Sequence, residues 1–254
     1  MSLILKTWKI NLKVLLTILR MKFNLILIIL TFTCFNIFSD EISDPFENLN
    51  RNIYEFNEQV DQIILKPTAT LYSNITPRFL KKGISNFFNN LNEIDNSFNQ
   101  LFQGKPLKSA NDLSRFIINT SLGFGGLIDV ASEFGLVEHD EDFGQTLAVW
   151  GFGEGPYLML PFLGPSSGRD IFSRPVTSFF EGTFHMDNAN VTISLTALDA
   201  IETREKLLQI ESLVSGDEYA FIKDSYSQSR TYEINDGLVL EDSFVDEMDD
   251  FLID

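Results

Sequence analysis

Residues 44–57 read Asp44-Pro45-Phe46-Glu47-Asn48-Leu49-Asn50-Arg51-Asn52-Ile53-Tyr54-Glu55-Phe56-Asn57. Asp followed by Pro is typical of a helix start, because Asp can cap free backbone N–H groups and Pro fits the first turn. Apolar side chains then recur at intervals of three and four residues, at Phe46, Leu49, Ile53, Phe56, Val60 and Ile63. This spacing predicts one amphipathic helix, which we expect to end near Lys66-Pro67.

The chain continues with further segments of helical periodicity. A second apolar stripe begins at Thr76-Pro77 and is expected to stop at Gly104-Lys105-Pro106. A third helix is expected over 109–122, with Leu113 and Ile117 among the residues that face inward. The glycines that follow it, from Gly123 onward, should break it. These segments favour an all-α fold.

Helical signals return near the end of the chain, over 191–213 and 218–232, and Asn235-Asp236-Gly237 should end the last helix. The segment between the two groups of helices is irregular. Glycines and prolines between 144 and 168 alternate with large apolar side chains, which is typical of neither a strand nor a helix. Such a segment is either a packed loop or a place where backbone approaches a ligand closely.

The first 39 residues differ from the rest of the chain. They contain five of the 19 basic residues and none of the 36 acidic ones. After Met21 and Lys22 comes an apolar run of about ten residues, which matches a secretory signal peptide and is shorter than the span of about 20 residues that a bilayer needs. We therefore predict a signal peptide over 1–39, with Met21 as an alternative start and a retained N-terminal helix as the alternative structure.

Two processing sites compete within this segment. Cleavage after Ser39 would place a small residue at the cut. Alternatively, the sequence that ends at Cys34 loosely resembles a lipobox, in which the Cys is acylated, although Phe32 is bulky and Thr33 stands where Gly or Ala is usual. Lipidation at Cys34 thus remains one of two open readings.

Composition excludes several classes of function. The net charge of −17 argues against nucleic acid, which needs a basic face. One Cys and two His residues leave little material for a metal site, and no cofactor is expected. The domain is expected over 40–237. The tail over 238–254 has seven acidic and no basic residues, so it is predicted to be disordered.

One motif suggests an enzyme. Residues 164–168, Gly-Pro-Ser-Ser-Gly, match the G-x-S-x-G pattern of a serine nucleophile, which needs a preceding strand and a following helix. Pro161 and Pro165 are expected to interrupt such a strand. We therefore do not expect catalysis, and a periplasmic esterase or lipase that uses Ser166 is the alternative.

Six blocks of the sequence, in order, resemble the MlaA/VacJ family of outer-membrane lipoproteins. Together they extend from about residue 44 to 236. The blocks are 44–57, 115–123, 126–131, 142–147, 151–157 and 160–170. The signature in the first helix comprises Asp44, Pro45, Leu49, Asn50, Arg51, Tyr54, Phe56 and Asn57.

The resemblance implies a single-domain ring of amphipathic helices embedded in one leaflet of the outer membrane. In the family a glycine-rich hairpin lines a central amphipathic channel. The segment that corresponds to this hairpin comprises Trp150, Gly151, Phe152, Gly153, Gly155, Pro156 and Tyr157.

The resemblance also implies the function. A family member removes mislocalised phospholipid from the outer leaflet and passes it through the channel to a periplasmic lipid-carrier protein, which maintains lipid asymmetry. The implied partners are phospholipid, the outer membrane, that carrier and a trimeric porin, with the protein on the periplasmic face of the outer membrane. A structural lipoprotein that only docks to porins is a second alternative.

Overall fold

The computed structural model describes residues 44–180, 188–208, 211 and 216–238. The chain divides into two compact units, Met1–Asp40 and Glu41–Asp254, and all described residues belong to the second. The predictions for the signal peptide, for Cys34 and for the acidic tail beyond Leu238 lie outside the described residues.

Helices dominate the described part of the chain, which confirms the predicted helical class. A helix that starts at Glu47 runs through a π-helical turn and ends at Ile75, and two long helices follow it. The elements are α1 (Glu47–Val60), the π-helical turn (Asp61–Leu65), α2 (Lys66–Ile75), α3 (Arg78–Phe102), α4 (Pro106–Leu122), a 3-10 turn (Ser132–Phe134), α5 (Phe143–Val149), β1 (Tyr157–Leu160), β2 (Gly164–Ser167), α6 (Gly168–Phe180), α7 (Ala189–Leu207) and α8 (Glu218–Ile234).

Both ends predicted for the first helix were wrong. The helix begins after Phe46, and Asp44 caps no backbone N–H there; instead its carboxylate accepts hydrogen bonds from Asn50 and Tyr219. The expected stop at Lys66-Pro67 is absent, because the chain passes through the π-helical turn and Pro67 occupies the first turn of α2. Proline is tolerated there because the π-helical turn before it already interrupts the regular α-helical hydrogen-bond pattern.

The interior of the helical unit is polar. Among the described residues, 23 polar or charged side chains are buried, against six apolar ones. The Asn-rich part of α3 supplies many of them, including Asn90, Asn96 and Asn99. The apolar core is small: Tyr157, Met159 and Tyr219 pack together, with Ile53 and Tyr226 among the residues against them.

The apolar faces of the helices point outward instead. Leu113 and Ile117 are about half exposed, so the inward orientation predicted for them was wrong. Asp112, Arg115 and Asn119 take the inner positions of α4. Other large apolar side chains are also exposed, among them Ile63, Phe79, Leu107, Phe124, Phe162 and Ile193. The polarity of this unit is therefore inverted relative to an ordinary soluble domain.

Membrane-spanning helices are not found in the described part of the chain: none of its helices combines the length and the hydropathy needed to cross a bilayer.

Candidate functional site

A two-stranded hairpin stands between the helices at the candidate site. β1 and β2 are antiparallel, with Tyr157 opposite Ser167 and Leu160 opposite Gly164. Phe162 and Gly164 have positive φ angles of 64° and 76°, which close the turn. The expectation that proline would prevent a strand here was wrong, because a two-stranded sheet leaves one edge of each strand free and Pro165 needs no ladder partner on that edge.

Helix α1 holds β1 through two asparagine side chains. The Asn50 amide donates to the Tyr157 carbonyl (3.1 Å) and accepts from the Met159 N–H (2.9 Å). The Asn57 amide donates to the Leu160 carbonyl (2.9 Å) and accepts from the Phe162 N–H (2.8 Å). Each asparagine side chain thus hydrogen-bonds to one carbonyl and one N–H of the hairpin backbone. The two side chains together fix the position of the hairpin on α1.

Other residues of the predicted signature tie α1 to the start of α8. The Arg51 guanidinium pairs with Asp217 (2.8 Å) and lies 4.4 Å from the centre of the Tyr219 ring. The Tyr54 hydroxyl donates to Glu218 (2.9 Å). Phe56 packs edge-on against Phe162 at the hairpin tip, at 5.2 Å between ring centres. Pro45 and Leu49 are exposed.

Behind the hairpin lies a cavity of about 820 Å³. Its lining joins apolar, hydroxyl-bearing and charged side chains from the hairpin and several helices. The lining residues are Phe88, Leu91, Asn92, Asp142, Leu163, Pro165, Ser166, Asp170, Ser173, Arg174, Pro175, Thr177, Thr196, Asp199, Tyr226 and Arg230. A cavity of this size and mixed chemistry suits an amphipathic small molecule.

One wall of the cavity is a buried ion-pair cluster. The Arg230 guanidinium bonds to Asp142 (2.9 Å) and to Asp170 (2.9 Å), and Tyr226 donates to Asp170 at 2.5 Å. Burial disfavours charge on Asp170, but Arg230 and the Tyr226 hydrogen bond outweigh it and lower the pKa of this carboxyl. Burial alone would lower the pKa of Arg230, yet Asp142 and Asp170 raise it. Asp170 and Arg230 are therefore both held in their charged forms.

The glycine-rich segment that was predicted to line a channel connects α5 to β1. Trp150 donates from its indole nitrogen to the Phe102 carbonyl (3.0 Å), and Gly151 and Gly155 have φ angles of 88° and 75°. Phe152, Gly153 and Pro156 belong to the same connection, which leads to the fully buried Tyr157. None of these residues is among the described lining residues of the cavity. The lining role of 150–157 therefore stays a prediction.

Sequence reasoning missed a second buried cluster, centred on Arg115. Its side chain is 2% exposed and bonds to Glu93 (2.5 Å), to Ser132 (3.1 Å) and to the Leu136 carbonyl (2.9 Å). Asn119 joins the loop after α4 by accepting from the backbone N–H groups of 130 and 131. The polar residues Asp112, Arg115 and Asn119 recur at helical spacing, and this stripe was the available signal.

The acidic run after Val137 forms no metal site. His139 Nδ1 lies 2.5 Å from Asp112, and the Asn96 amide donates to the His139 carbonyl. Among the described residues, no group of three or more His, Cys, Asp or Glu side chains is arranged to hold a metal ion.

Comparison with known proteins places these features in a family. The family model described as MlaA lipoprotein matches residues 42–233. The intermembrane phospholipid transport system lipoprotein MlaA of Escherichia coli K12 is 35% identical over 201 residues, which cover 77% of this chain and 80% of that protein. A Rickettsia bellii protein is 36% identical over 194 residues, covering 75% and 76% of the two chains.

A solved structure is also similar, with a TM-score of 0.68 and 33% identity over 76% of this chain and 99% of that one. It comes from work on the structural basis for maintenance of bacterial outer membrane lipid asymmetry. The helical unit with its hairpin thus has a sequence match and a structural match to the same group of proteins, and the chain belongs to the MlaA lipoprotein family.

Proposed function

We propose that this chain removes mislocalised phospholipid from the outer leaflet of the outer membrane and transfers it to a periplasmic lipid-carrier protein. Its E. coli and Haemophilus influenzae relatives are named as lipoproteins of the intermembrane phospholipid transport system. The proposal includes residence on the periplasmic side of the outer membrane, with the helices lying in one leaflet around a channel.

The observation that carries this proposal is the inverted polarity of the helical unit. Leu107 is 86% exposed, whereas Arg115 and Glu93 are almost completely buried. When acyl chains replace water around the exposed apolar side chains of amphipathic helices, the free energy of the system falls. The buried amides and carboxylates pair with one another, which a protein without a large apolar core needs for a defined fold.

The cavity behind the hairpin is the proposed path for the lipid. Hydroxyl and charged side chains such as Ser166 and Arg174 suit a polar head group, and Leu91 and Leu163 suit the first methylenes of acyl chains. We propose that 150–157 form the moving part of this path, since Gly151 and Gly155 already use backbone angles that favour glycine.

We further propose that the chain is not an enzyme. β2 does precede α6 at Ser166, as a serine nucleophile requires, but the Ser166 hydroxyl has no hydrogen-bond partner among the described residues. Activation needs a base within hydrogen-bond reach. His139 is engaged with Asp112, and His185 lies outside the described residues. A Ser166→Ala protein that loses measurable ester hydrolysis would contradict this.

The proposed partners follow from the same scheme. A lipid leaving the cavity into water needs a soluble carrier, because acyl chains cost free energy when exposed. The exposed apolar faces also offer contact area for a trimeric porin within the membrane.

Complementation tests the function. In a Gram-negative strain that lacks its own MlaA, expression of this chain should reduce the outer-leaflet phospholipid that an added phospholipase can reach. A protein that only docks to porins would co-purify with them but leave this lipid pool unchanged. The mass of the mature N-terminus, measured on the membrane fraction, separates acylation of Cys34 from cleavage after Ser39.

A further inference from the structure

We infer that the cavity selects a zwitterionic phospholipid head group, with the phosphate held by Arg174 and Ser166 and the ammonium group held near Asp199. This inference rests on the proposed function, because it names the class of lipid that the same cavity takes. The argument starts from the charges that the cluster around Arg230 leaves uncompensated.

Most charges in the described lining neutralise one another. Arg230 bonds to both Asp142 and Asp170, and Arg169 Nε lies 3.5 Å from Asp170. Two charged lining residues remain, Arg174 on α6 and Asp199 on α7. Within the described part of the chain neither forms an ion pair, with each other or with any other side chain.

The positive pole of the cavity, formed by Arg174 and Ser166, has hydrogen-bond donors without acceptors. The Arg174 Nε atom is buried and has no hydrogen-bond partner among the described residues. The Ser166 side chain is 1% exposed, and its hydroxyl is also unpartnered. Unpaired buried donors cost free energy, and the oxygens of a phosphate group in the cavity would supply the missing acceptors.

The negative pole is Asp199 on α7. Thr196 lies three residues before it on the same helix, and both residues line the cavity. Thr196 and Asp199 are exposed to solvent, and partial desolvation together with the nearby Glu202 carboxylate raises the pKa of Asp199. Lys206 offsets part of this effect, and its ammonium group is itself paired with Glu202 at 2.9 Å. A ligand cation would stabilise Asp199.

Phosphate and a primary ammonium in one ligand match this pair of poles. An anionic head group such as that of phosphatidylglycerol would satisfy Arg174 and Ser166 but leave Asp199 without a counter-charge. Diacylglycerol would satisfy neither. The expected order of binding is therefore phosphatidylethanolamine, then phosphatidylglycerol, then diacylglycerol.

The full-length protein, purified in detergent, is incubated with equal amounts of these three lipids, and bound lipid is quantified by extraction and mass spectrometry. We expect a preference for phosphatidylethanolamine over phosphatidylglycerol of about two- to fivefold, the effect of one solvent-exposed charge pair. Equal binding of the two phospholipids overturns the head-group inference, whereas failure to bind either phospholipid overturns the proposed function as well.

Variants assign the two poles. Asp199→Asn should bring the preference close to one without lowering the binding of phosphatidylglycerol. Arg174→Gln should lower the binding of both phospholipids about tenfold and leave diacylglycerol unchanged, and Arg174→Lys should restore part of it. Asp224→Asn and Arg78→Gln change exposed residues outside the cavity and should match the wild type. A preference that persists in Asp199→Asn overturns the inference, and the wild-type lipid order tests it even if a variant fails to fold.

Discussion

Asn50 and Asn57 lie seven residues apart on α1, and each pairs its side-chain amide with both a carbonyl and an N–H of the hairpin backbone. Seven residues are about two helical turns, so both side chains share one face of the helix. Their spacing along α1 matches the length of β1, from Tyr157 to the turn at Phe162. The family signature in this helix therefore has a structural role: it positions the hairpin that forms one wall of the cavity.

Replacement of either asparagine should loosen the hairpin. Asn50→Ala leaves the Tyr157 carbonyl and the buried Met159 N–H without these partners, which should cost about 1–3 kcal/mol. Asn52 lies on the exposed side of the same helix, so Asn52→Ala should stay within about 0.5 kcal/mol of the wild type. Thermal unfolding in detergent measures both. A cost for Asn52→Ala as large as that for Asn50→Ala would contradict the role given to this face.

Deletion of a single residue between the two asparagines should be more severe. Removal of Asn52 rotates Asn57 by about 100° relative to Asn50, so both cannot reach the hairpin at once. We expect lost control of lipid transfer or a lower protein level, read as outer-membrane permeability together with immunoblotting. Wild-type permeability at a wild-type protein level would contradict this.

The helix boundaries and the polar interior differ in how far the sequence could predict them. Gly104 and Pro106 correctly separate α3 from α4, because glycine and proline act on the local backbone. Periodicity shows that α4 has two faces, but it does not tell which face is buried. The usual assumption that Leu113 and Ile117 face inward fails for a helix that buries its polar face and exposes its apolar one.

The position of the hairpin on α1 was beyond local reasoning for a different reason. Its two strands pair locally, but the contacts that hold it against α1 join residues more than 100 positions apart, as between Asn50 and Tyr157. Asn50 and Asn57 belonged to the signature that the family resemblance predicted. Nothing in the sequence, however, identifies the backbone groups to which they hydrogen-bond. For the same reason, the pairing of Arg230 with Asp142 and Asp170 could not be predicted.

Loss of one partner from the buried pair of Arg115 and Glu93 should be strongly destabilising. Burial raises the pKa of Glu93 to about 7, against the opposing effect of Arg115. Arg115→Met leaves the carboxyl buried without its partner, which should cost about 3–5 kcal/mol. The double variant Arg115→Met, Glu93→Met removes both charges and should recover much of this loss, as measured by thermal unfolding. If the double variant is as unstable as the sum of the single ones, the two residues do not act as a pair.

The cluster at Asp170 should give a pH dependence with a defined sign. The pKa of Asp170 is lowered from its ordinary value of 3.8, so its stabilising effect is fully present above that value and is lost as the pH falls through the lower pKa of the folded protein. Asp170→Asn should therefore cost about 1.5–3 kcal/mol near neutral pH. The difference from the wild type should shrink as the pH falls below 3.8, because protonation first of the unfolded and then of the folded wild type removes the effect of the charge. The exposed control Asp224→Asn should show little difference at either pH, and a cost for Asp170→Asn that is the same at both would refute the ion-pair explanation.

The same cluster leaves no room for a side chain at position 144, so glycine should be required there. A Cβ atom at this position would lie 2.3 Å from Asp170 Oδ1 and 2.6 Å from Arg230 Nη2. These atoms are side-chain ends that could move in isolation, but the buried ion pair holds them in place, so Gly144→Ala must either strain the backbone or separate the pair. We expect a loss of about 1–3 kcal/mol in the free energy of unfolding.

Gly83→Ala is the matched control for this change. Gly83 lies within α3, and its nearest neighbour would be 3.5 Å from an added Cβ, an ordinary contact. Alanine should therefore be neutral there or stabilising by up to about 1 kcal/mol, through its better helix propensity. In an Asp170→Asn background the cost of Gly144→Ala should be smaller than in the wild type, because the ion pair it disturbs is already weakened. Equal costs in the two backgrounds would show that Gly144 acts through local backbone strain and not through the wall of the cavity.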